Sequence, residues 1–265
     1  MSGQGVSLRE RLASGDVVVG SWLSFAFTPV AEMMARAGFD FLVIDQEHAA
    51  IGAAECLAMI QVIDLCGVEA WVRVGANDPV PIKRALDSGA KGVVVPMVNT
   101  AEEAAAAVSA ARYPPGGTRG AGLFRAQDYG LGFAEYRVRA ERETTVVVQV
   151  EHIEAVGNLR EILGVPGVDA FIVGPYDLSS SLGYPGDYGN PKVEEALVEV
   201  EAVMAEASVP GGFHVVHSGG EDLATRLGAG YRLIAYGDDM VFLAEKLRDE
   251  SGRLEAALRG QRPSS

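Results

Sequence analysis

The sequence predicts a single-domain α/β protein folded as a TIM (β/α)8 barrel. Three observations carry that prediction. Strand-like and helix-like segments alternate eight times, several strands are unbroken Val/Ile runs, and the 265-residue length is close to the roughly 250 residues of such a barrel. Unbroken apolar runs mark strands buried on both faces, as in a parallel sheet.

The alternation runs the length of the chain. VVVGSWLSF (17–25) precedes the helix-like PVAEMMARAG, and FDFLVIDQEH (39–48) precedes AAECLAMIQVIDLCG. EAWVRVG (69–75) is followed by PVPIKRALDSG, and KGVVVPMV (91–98) by the alanine-rich TAEEAAAAVSAARY. TTVVVQVEH (144–152) leads into EAVGNLREILG, and VDAFIVGPYDLS (168–179) into a helix around 191–208. GGFHVVH (211–217) leads into GGEDLATRLGAG, and YRLIAYGDD (231–239) into a last helix over about 239–258. Repeated βα units imply a parallel sheet, and eight of them favour closure over an open doubly wound sheet. The open alternative is marked by G-x-G-x-x-G after the first strand; GSWLSF stands there instead. The pattern breaks once, at 113–143, in a stretch rich in Gly, Pro and Arg. Long ordered connections are often functional, and the second half of this one reads as an amphipathic helix. No linker divides the chain, so residues 1–265 are read as one domain carrying that insertion.

Composition narrows the function. Hydrophobic residues make up 48% of the chain, enough for a large core. The formal net charge is −14, which argues against nucleic acids and anionic membranes as partners. No run reaches the roughly 20 apolar residues of a membrane span. An acidic small-molecule substrate stays open, because a bound cation reverses the sign inside a cleft. Cys56 and Cys66 form no CxxC pair and sit in apolar sequence. They read as reduced core thiols of a cytoplasmic protein, and the N-terminal sequence does not read as a signal peptide.

In this fold the active site lies at the C-terminal ends of the strands, and those ends are polar here. The second strand ends in Asp45, Glu47 and His48, the third carries Arg73, and the fifth ends in Gln149, Glu151 and His152. The sixth runs into Gly174, Pro175, Tyr176 and Asp177, and the seventh carries His214 and His217. A charge on a buried strand needs a partner or a metal, so charges at one end of several strands suggest one shared site. Glu151 and Asp177 are the candidate metal pair: two carboxylates with water completing the shell suit Mg²⁺ or Mn²⁺. Asp177 reads equally as a helix cap. Asp45 and His48 could form a carboxylate–histidine pair, or His48 could be an ordinary loop residue. Arg73 needs an anion, from protein or substrate, and substrate is the favoured reading. Trp22 serves either as a pocket wall or as core. His152, His214 and His217 stay open between metal ligand, substrate contact and loop residue, with His217 preferred as a distal substrate contact. The four lysines, Lys83, Lys91, Lys192 and Lys246, all lie away from predicted strand C-termini. A Schiff-base mechanism lacks its lysine there, so carbonyl chemistry on this barrel calls for a metal as the electron sink and for no organic cofactor.

These residues lie in five ordered strings, GFDFLVIDQEHA, VRVGANDPVPIKRALDSGAKGVVVPMV, ARYPPGGTRG, VVVQVEHIEAVGN and VDAFIVGPYDLSSSLG. Together they resemble the HpcH/HpaI aldolase family over about 20–180, and more loosely beyond. The resemblance implies a metal-dependent (class II) pyruvate aldolase cleaving a 2-keto-4-hydroxy acid to pyruvate and an aldehyde. It implies Mg²⁺ or Mn²⁺, with Co²⁺ as a further option, and a homohexamer with a swapped final helix. It assigns His48 as the base acting through a water, Arg73 as the transition-state stabiliser, Glu151 and Asp177 as metal ligands, and Gln149 as a substrate contact. It places the backbone amide at Tyr176, beside Gly174 and Pro175, on the pyruvate carboxylate. It also makes Asp87 a residue that raises the basicity of the histidine. In a single barrel Asp87 falls near the end of the third helix, away from the mouth, so it either acts across a subunit interface or leaves that task to Asp45. The sequence departs from the family pattern at Asp-Gln-Glu-His in strand two, GGFHVVHSG in strand seven and AYGDD in strand eight. Strands seven and eight are where the aldehyde half is expected to be read. The alternatives are decarboxylation of oxaloacetate on the same site, a CoA-thioester lyase, and a non-catalytic binding module.

Overall fold

The computed structural model of the chain describes residues 6–217 and 220–259. Its strands are β1 (Val18–Leu23), β2 (Phe41–Asp45), β3 (Glu69–Arg73), β4 (Gly92–Val95), β5 (Thr145–Val150), β6 (Ala170–Val173), β7 (Gly211–Val215) and β8 (Leu233–Asp238). They pair in parallel, each with the next and β8 with β1, closing the barrel. Each expected strand is present but shorter than the apolar run that predicted it. The run over 168–179 shows why: β6 stops at Val173, and Gly174 and Pro175 start a helix at once. Proline at the first helical position has its φ preset and no amide to lose.

Side-chain parity divides the core in two. Val18, Trp22, Phe41, Val43, Trp71, Val94, Val147, Ala170, Ile172, Leu233 and Ala235 fill the barrel. Their neighbours, among them Leu42, Ile44, Val72, Val93, Val148, Phe171 and Phe213, pack outward against the helices. Inside, Phe41 and Trp71 stack with ring centroids 4.2 Å apart. Gly20 makes room for them, since a Cβ there would stand 2.5 Å from the Phe41 ring. A short helix not expected from the sequence, α1 (Leu8–Ala13), closes the bottom of the barrel. A Ser7–Glu10 capping box starts it, and Leu8 and Leu12 join the inner cluster.

The connecting helices are α2 (Thr28–Ala35), α3 (Ala53–Leu65), α4 (Pro79–Ser88) and α5 (Ala101–Ala111), then α6 (Phe133–Glu143), α7 (Ile153–Gly157), α8 (Leu159–Leu163) and α9 (Pro175–Ser181). They are followed by α10 (Pro191–Glu206), α11 (Gly220–Gly228) and α12 (Asp239–Arg259). The insertion contains a 3-10 segment, Arg125–Gly130, and then α6, the amphipathic helix its second half suggested. Cys56 and Cys66 are free, Cys56 buried, and burial pushes the Cys56 thiol up to about 12. Among the described residues no helix is long and apolar enough to cross a membrane.

Candidate active site

Parity also builds the mouth. One step above the inner apolar layer, the inward positions are Trp22, Asp45, Arg73, Gln149 and His214. Trp22, Arg73, Gln149 and His214 line a hollow of about 400 Å³ with His48, Gly174, Pro175, Tyr176, Asp177 and Tyr188. Asp45 and Arg73 are register partners on β2 and β3, so their side chains meet on the same face. Arg73 donates from Nε and Nη2 to the two oxygens of Asp45 at 2.9 and 2.8 Å. Its guanidinium lies 4.4 Å from the Trp22 ring centroid. Trp22 is therefore both core and wall.

Asp45 holds more than Arg73. Its Oδ1 also accepts from the amides of Glu47 and His48 at 2.9 and 3.3 Å, folding the β2 turn over the mouth. Burial alone would raise this carboxyl, but the bonds from Arg73 outweigh it and hold the group below the ordinary aspartate range. The expected pairing of Asp45 with the His48 imidazole is thus replaced by one with Arg73. The carboxylate beside the His48 ring is Glu47, with Oε2 3.6 Å from Nε2 and 3.4 Å from Arg73 Nε. The strand pattern assigns Glu47 no role; its signal is its place between Asp45 and His48 on a turn that carries both to the rim.

Glu151 stands one step beyond β5, with Oε1 accepting from the Met97 amide at 2.7 Å. Met97 adopts a left-handed φ of 52° to deliver that amide, an unfavourable conformation for a non-glycine residue of the kind that clusters at functional sites. Gln149 Nε2 donates to the other Glu151 oxygen. Burial pushes the Glu151 carboxyl up to about 7, and the charges of Glu47 and Asp177 add to the rise. Glu47 is raised as well, first by burial and then by Asp45 and Asp177 against the pull of Arg73. Gly174 leaves room for these side chains, since a Cβ there would sit 3.1 to 3.2 Å from Gln149 and Glu151.

The sequence profile of the HpcH/HpaI aldolase/citrate lyase family matches residues 19–245. The chain belongs to this family, whose members make or break carbon–carbon bonds. A hydroxypyruvate/pyruvate aldolase of Sagittula stellata is 44% identical over 202 residues, covering 76% of this chain and 79% of that one. A 4-hydroxy-2-oxo-heptane-1,7-dioate aldolase of Escherichia coli is 37% identical over 260 residues, covering 97% and 98%. The crystal structure of an HpcH/HpaI aldolase/citrate lyase family protein from Burkholderia cenocepacia superposes with a TM-score of 0.88 at 36% identity, over 94% of this chain and 98% of that one.

The structure thus brings together Trp22, His48, Arg73, Gln149, Gly174, Pro175, Tyr176 and Asp177 around one hollow. Asp45 and Glu151 join through their bonds to Arg73 and Gln149. It does not bring Asp87 there. Asp87 ends α4 under the insertion, where Oδ1 accepts from Arg119 at 2.7 Å and Gln127 at 3.0 Å. Nor does His217 stand in the mouth: it lines an adjoining hollow, its side chain is 76% exposed, and Nδ1 lies 3.2 Å from Glu245. The histidine of β7 in the mouth is His214. His152 caps α7 through Nδ1. Tyr188, which carries no signal in the strand pattern, closes the outer wall.

The residues fit a divalent cation on electrostatic grounds. Arg73 donates to Asp45 and has Glu47 3.4 Å from its Nε, while Glu47, Glu151 and Asp177 crowd one another, and Gln149 Oε1 and Glu47 Oε2 are buried with no hydrogen-bond partner. Among the described residues no cluster of three His, Cys, Asp or Glu side chains is arranged as a metal cage. Two carboxylates with water and substrate completing the shell is the arrangement that Mg²⁺ accepts.

Proposed function

We propose that the chain is a divalent-metal-dependent aldolase that cleaves a 2-keto-4-hydroxy acid reversibly to pyruvate and an aldehyde. The observation that carries this reading is the surplus of negative charge at the mouth, centred on a Glu151 carboxyl that burial lifts to about 7 beside Glu47 and Asp177. Glu151 and Asp177 would hold Mg²⁺, Mn²⁺ or Co²⁺. When bound, the ion supplies a Lewis acid that draws electron density from the keto oxygen.

The chain's own residues do the rest. The amides that open α9, at Tyr176 and Asp177, point their free N–H groups along the helix start, where a substrate carboxylate is favoured. Gln149 Nε2 fixes the Glu151 carboxylate. His48, 60% exposed at the rim, takes the proton of the C4 hydroxyl through a water. The C3–C4 bond then breaks: its electron pair passes to the enolate and the aldehyde departs. Arg73, locked in place by Asp45 and Trp22, is the cation that meets the charge developing on the enolate oxygen. A preorganised donor of this kind acts on the transition state more than on the ground state. Protonation at C3 yields pyruvate. Met240, Leu243, Leu247, Leu254 and Leu258 leave an apolar stripe of α12 exposed, which supports burial of this helix against another copy in a homo-oligomer.

The test is pyruvate release from a panel of 2-keto-3-deoxy acids and from oxaloacetate, after chelation and after resupply of Mg²⁺ or Mn²⁺. Metal-dependent release from the hydroxy acids is the expected result. Undiminished release after thorough chelation would overturn the metal, and release from oxaloacetate alone would replace cleavage with decarboxylation.

A further inference from the structure

The mouth has two sides. Gln149, Gly174 and Asp177 form one; Trp22, His214, Val216 and Tyr188 form the other. If the keto-acid end lies at the first, the carbons that leave as aldehyde extend along the second. That side opens into the adjoining hollow of about 290 Å³, with which it shares Pro175, Tyr188, His214 and Val216. Its lining combines Leu197, Phe213 and Val216 with His217, Asp222 and Arg226, and His214 and Tyr188 stand at the junction.

His214 is an unusual residue for an inward position on a buried strand. Burial and the nearby Arg73 push its imidazole down to about 3, which favours the neutral ring. A neutral imidazole carries one N–H and one bare lone pair. The backbone of Gly237 on β8 hydrogen-bonds the ring, and a carbonyl there takes the N–H. Nε2 has no partner and bulk water does not reach it. The Trp22 ring, 5.4 Å away between centroids, likewise holds an unpartnered buried Nε1–H. An acceptor and a donor left unmet in one pocket wall are complementary to a hydroxyl, which both donates and accepts. Unpaired buried polar atoms are rare enough to call for such a partner. His214 itself brings no charge, Arg73 is held by Asp45, and the two charged side chains of the adjoining hollow, Asp222 and Arg226, pair with each other.

We propose that His214 accepts a hydrogen bond from a hydroxyl on the aldehyde-derived half of the substrate, so that the aldehyde released or taken up is a hydroxyaldehyde rather than an alkyl aldehyde. The inference rests on the aldolase reading above. His214 is a specificity residue in it; His48 and Arg73 carry the bond cleavage. A site that holds a buried acceptor for a substrate hydroxyl discriminates strongly against the analogue lacking it, because the acceptor then stays unpaired.

The experiment measures kcat/KM for aldol addition of pyruvate to glycolaldehyde and glyceraldehyde, against acetaldehyde and propanal, in metal-loaded enzyme. The wild type is expected to favour the hydroxylated partner. His214→Leu should lower the hydroxy-to-alkyl ratio on the order of 10- to 100-fold, and His214→Gln, which retains an acceptor, should recover part of it. An unchanged ratio in His214→Leu, or equal loss with both aldehyde classes and no recovery in His214→Gln, overturns the proposal. Solvent deuterium exchange at C3 of pyruvate in the wild type reports the enolate chemistry separately. Exchange with an unchanged ratio sinks only the role of His214; no exchange and no addition sinks the aldolase reading. In that second case the ¹⁵N resonance of His214 still decides: a shift with glycolaldehyde but not acetaldehyde supports the hydroxyl contact, and none overturns it.

Discussion

Arg73 with Asp45 and Arg119 with Asp87 are built from the same parts. Each is a buried guanidinium on an aspartate, laid against aromatic rings: Trp22 at 4.4 Å for Arg73, and Tyr113 and Tyr136 at 4.6 and 5.5 Å for Arg119. Their surroundings differ. Around Arg119 the remaining partners are neutral: its Nη2 also donates to the Tyr136 hydroxyl, and Gln127 bridges Asp87 to the Tyr113 hydroxyl. Charge there is balanced one to one, although Arg119 Nε and Nη1 are buried without a hydrogen-bond partner, and the pair pins the insertion to α4. Around Arg73, Glu47, Glu151 and Asp177 are added to Asp45, and two of these carboxyls are driven upward, first by burial and then by their acidic neighbours. A balanced buried pair holds structure; an unbalanced one keeps electrostatic demand for a ligand.

Four measurements sharpen or break that contrast. The largest effect is expected from Arg73→Met, which should lower kcat roughly 100- to 1,000-fold, the scale of losing one preorganised transition-state donor. An unchanged kcat would remove Arg73 from the chemistry. Arg119→Met should act on folding instead, costing about 3–5 kcal/mol by leaving Asp87 unpaired. Denaturant melts compare it with Arg73→Met; an effect on kcat without one on stability would mean the two pairs are not different in kind.

The Glu151 carboxyl supplies the third. Its folded value of about 7 lies above the ordinary 4.5. The folded metal-free protein therefore binds a proton that the unfolded chain has lost, and stability falls as pH rises from 4.5 to about 7. Glu151→Gln removes that slope. It should make the metal-free protein more stable by ~2–3 kcal/mol above pH 7 and by nothing below pH 4.5. Parallel pH–stability curves for the two proteins would contradict the raised Glu151 carboxyl. The smallest effect belongs to Glu47→Gln, which takes the carboxylate from beside His48. A fall in kcat of about tenfold is expected, and full activity would show that the Glu47–His48 contact is incidental.

The contrast also shows what could be read beforehand. Arg73 and Asp45 were legible as site residues because a charge on an apolar strand of a barrel has few places to go. Their partnership was not, because it depends on β2–β3 register: a shift of one residue turns a side chain to the opposite face. Asp87 was legible as lying away from the mouth from its helical position alone. Arg119 and Gln127 were not legible as its partners, since an insertion with few apolar anchors fixes its path only by docking. His214 and His217 differ by three residues, so strand parity favours one of them for the interior, but choosing which required knowing that Gly212 and His214 share the inward phase.

The sequence by itself determined the barrel, the polar rim, the absence of a rim lysine and, through five ordered strings, the family. These depend on period and order along the chain, which are local. Tertiary structure alone decided that Asp45 serves Arg73 rather than His48, that Glu47 stands by the histidine, and that His214 faces the mouth while His217 turns toward α12. Those outcomes depend on register, on which residue ends each strand, and on how charges crowd once water is excluded, and none of these is fixed until the sheet has closed.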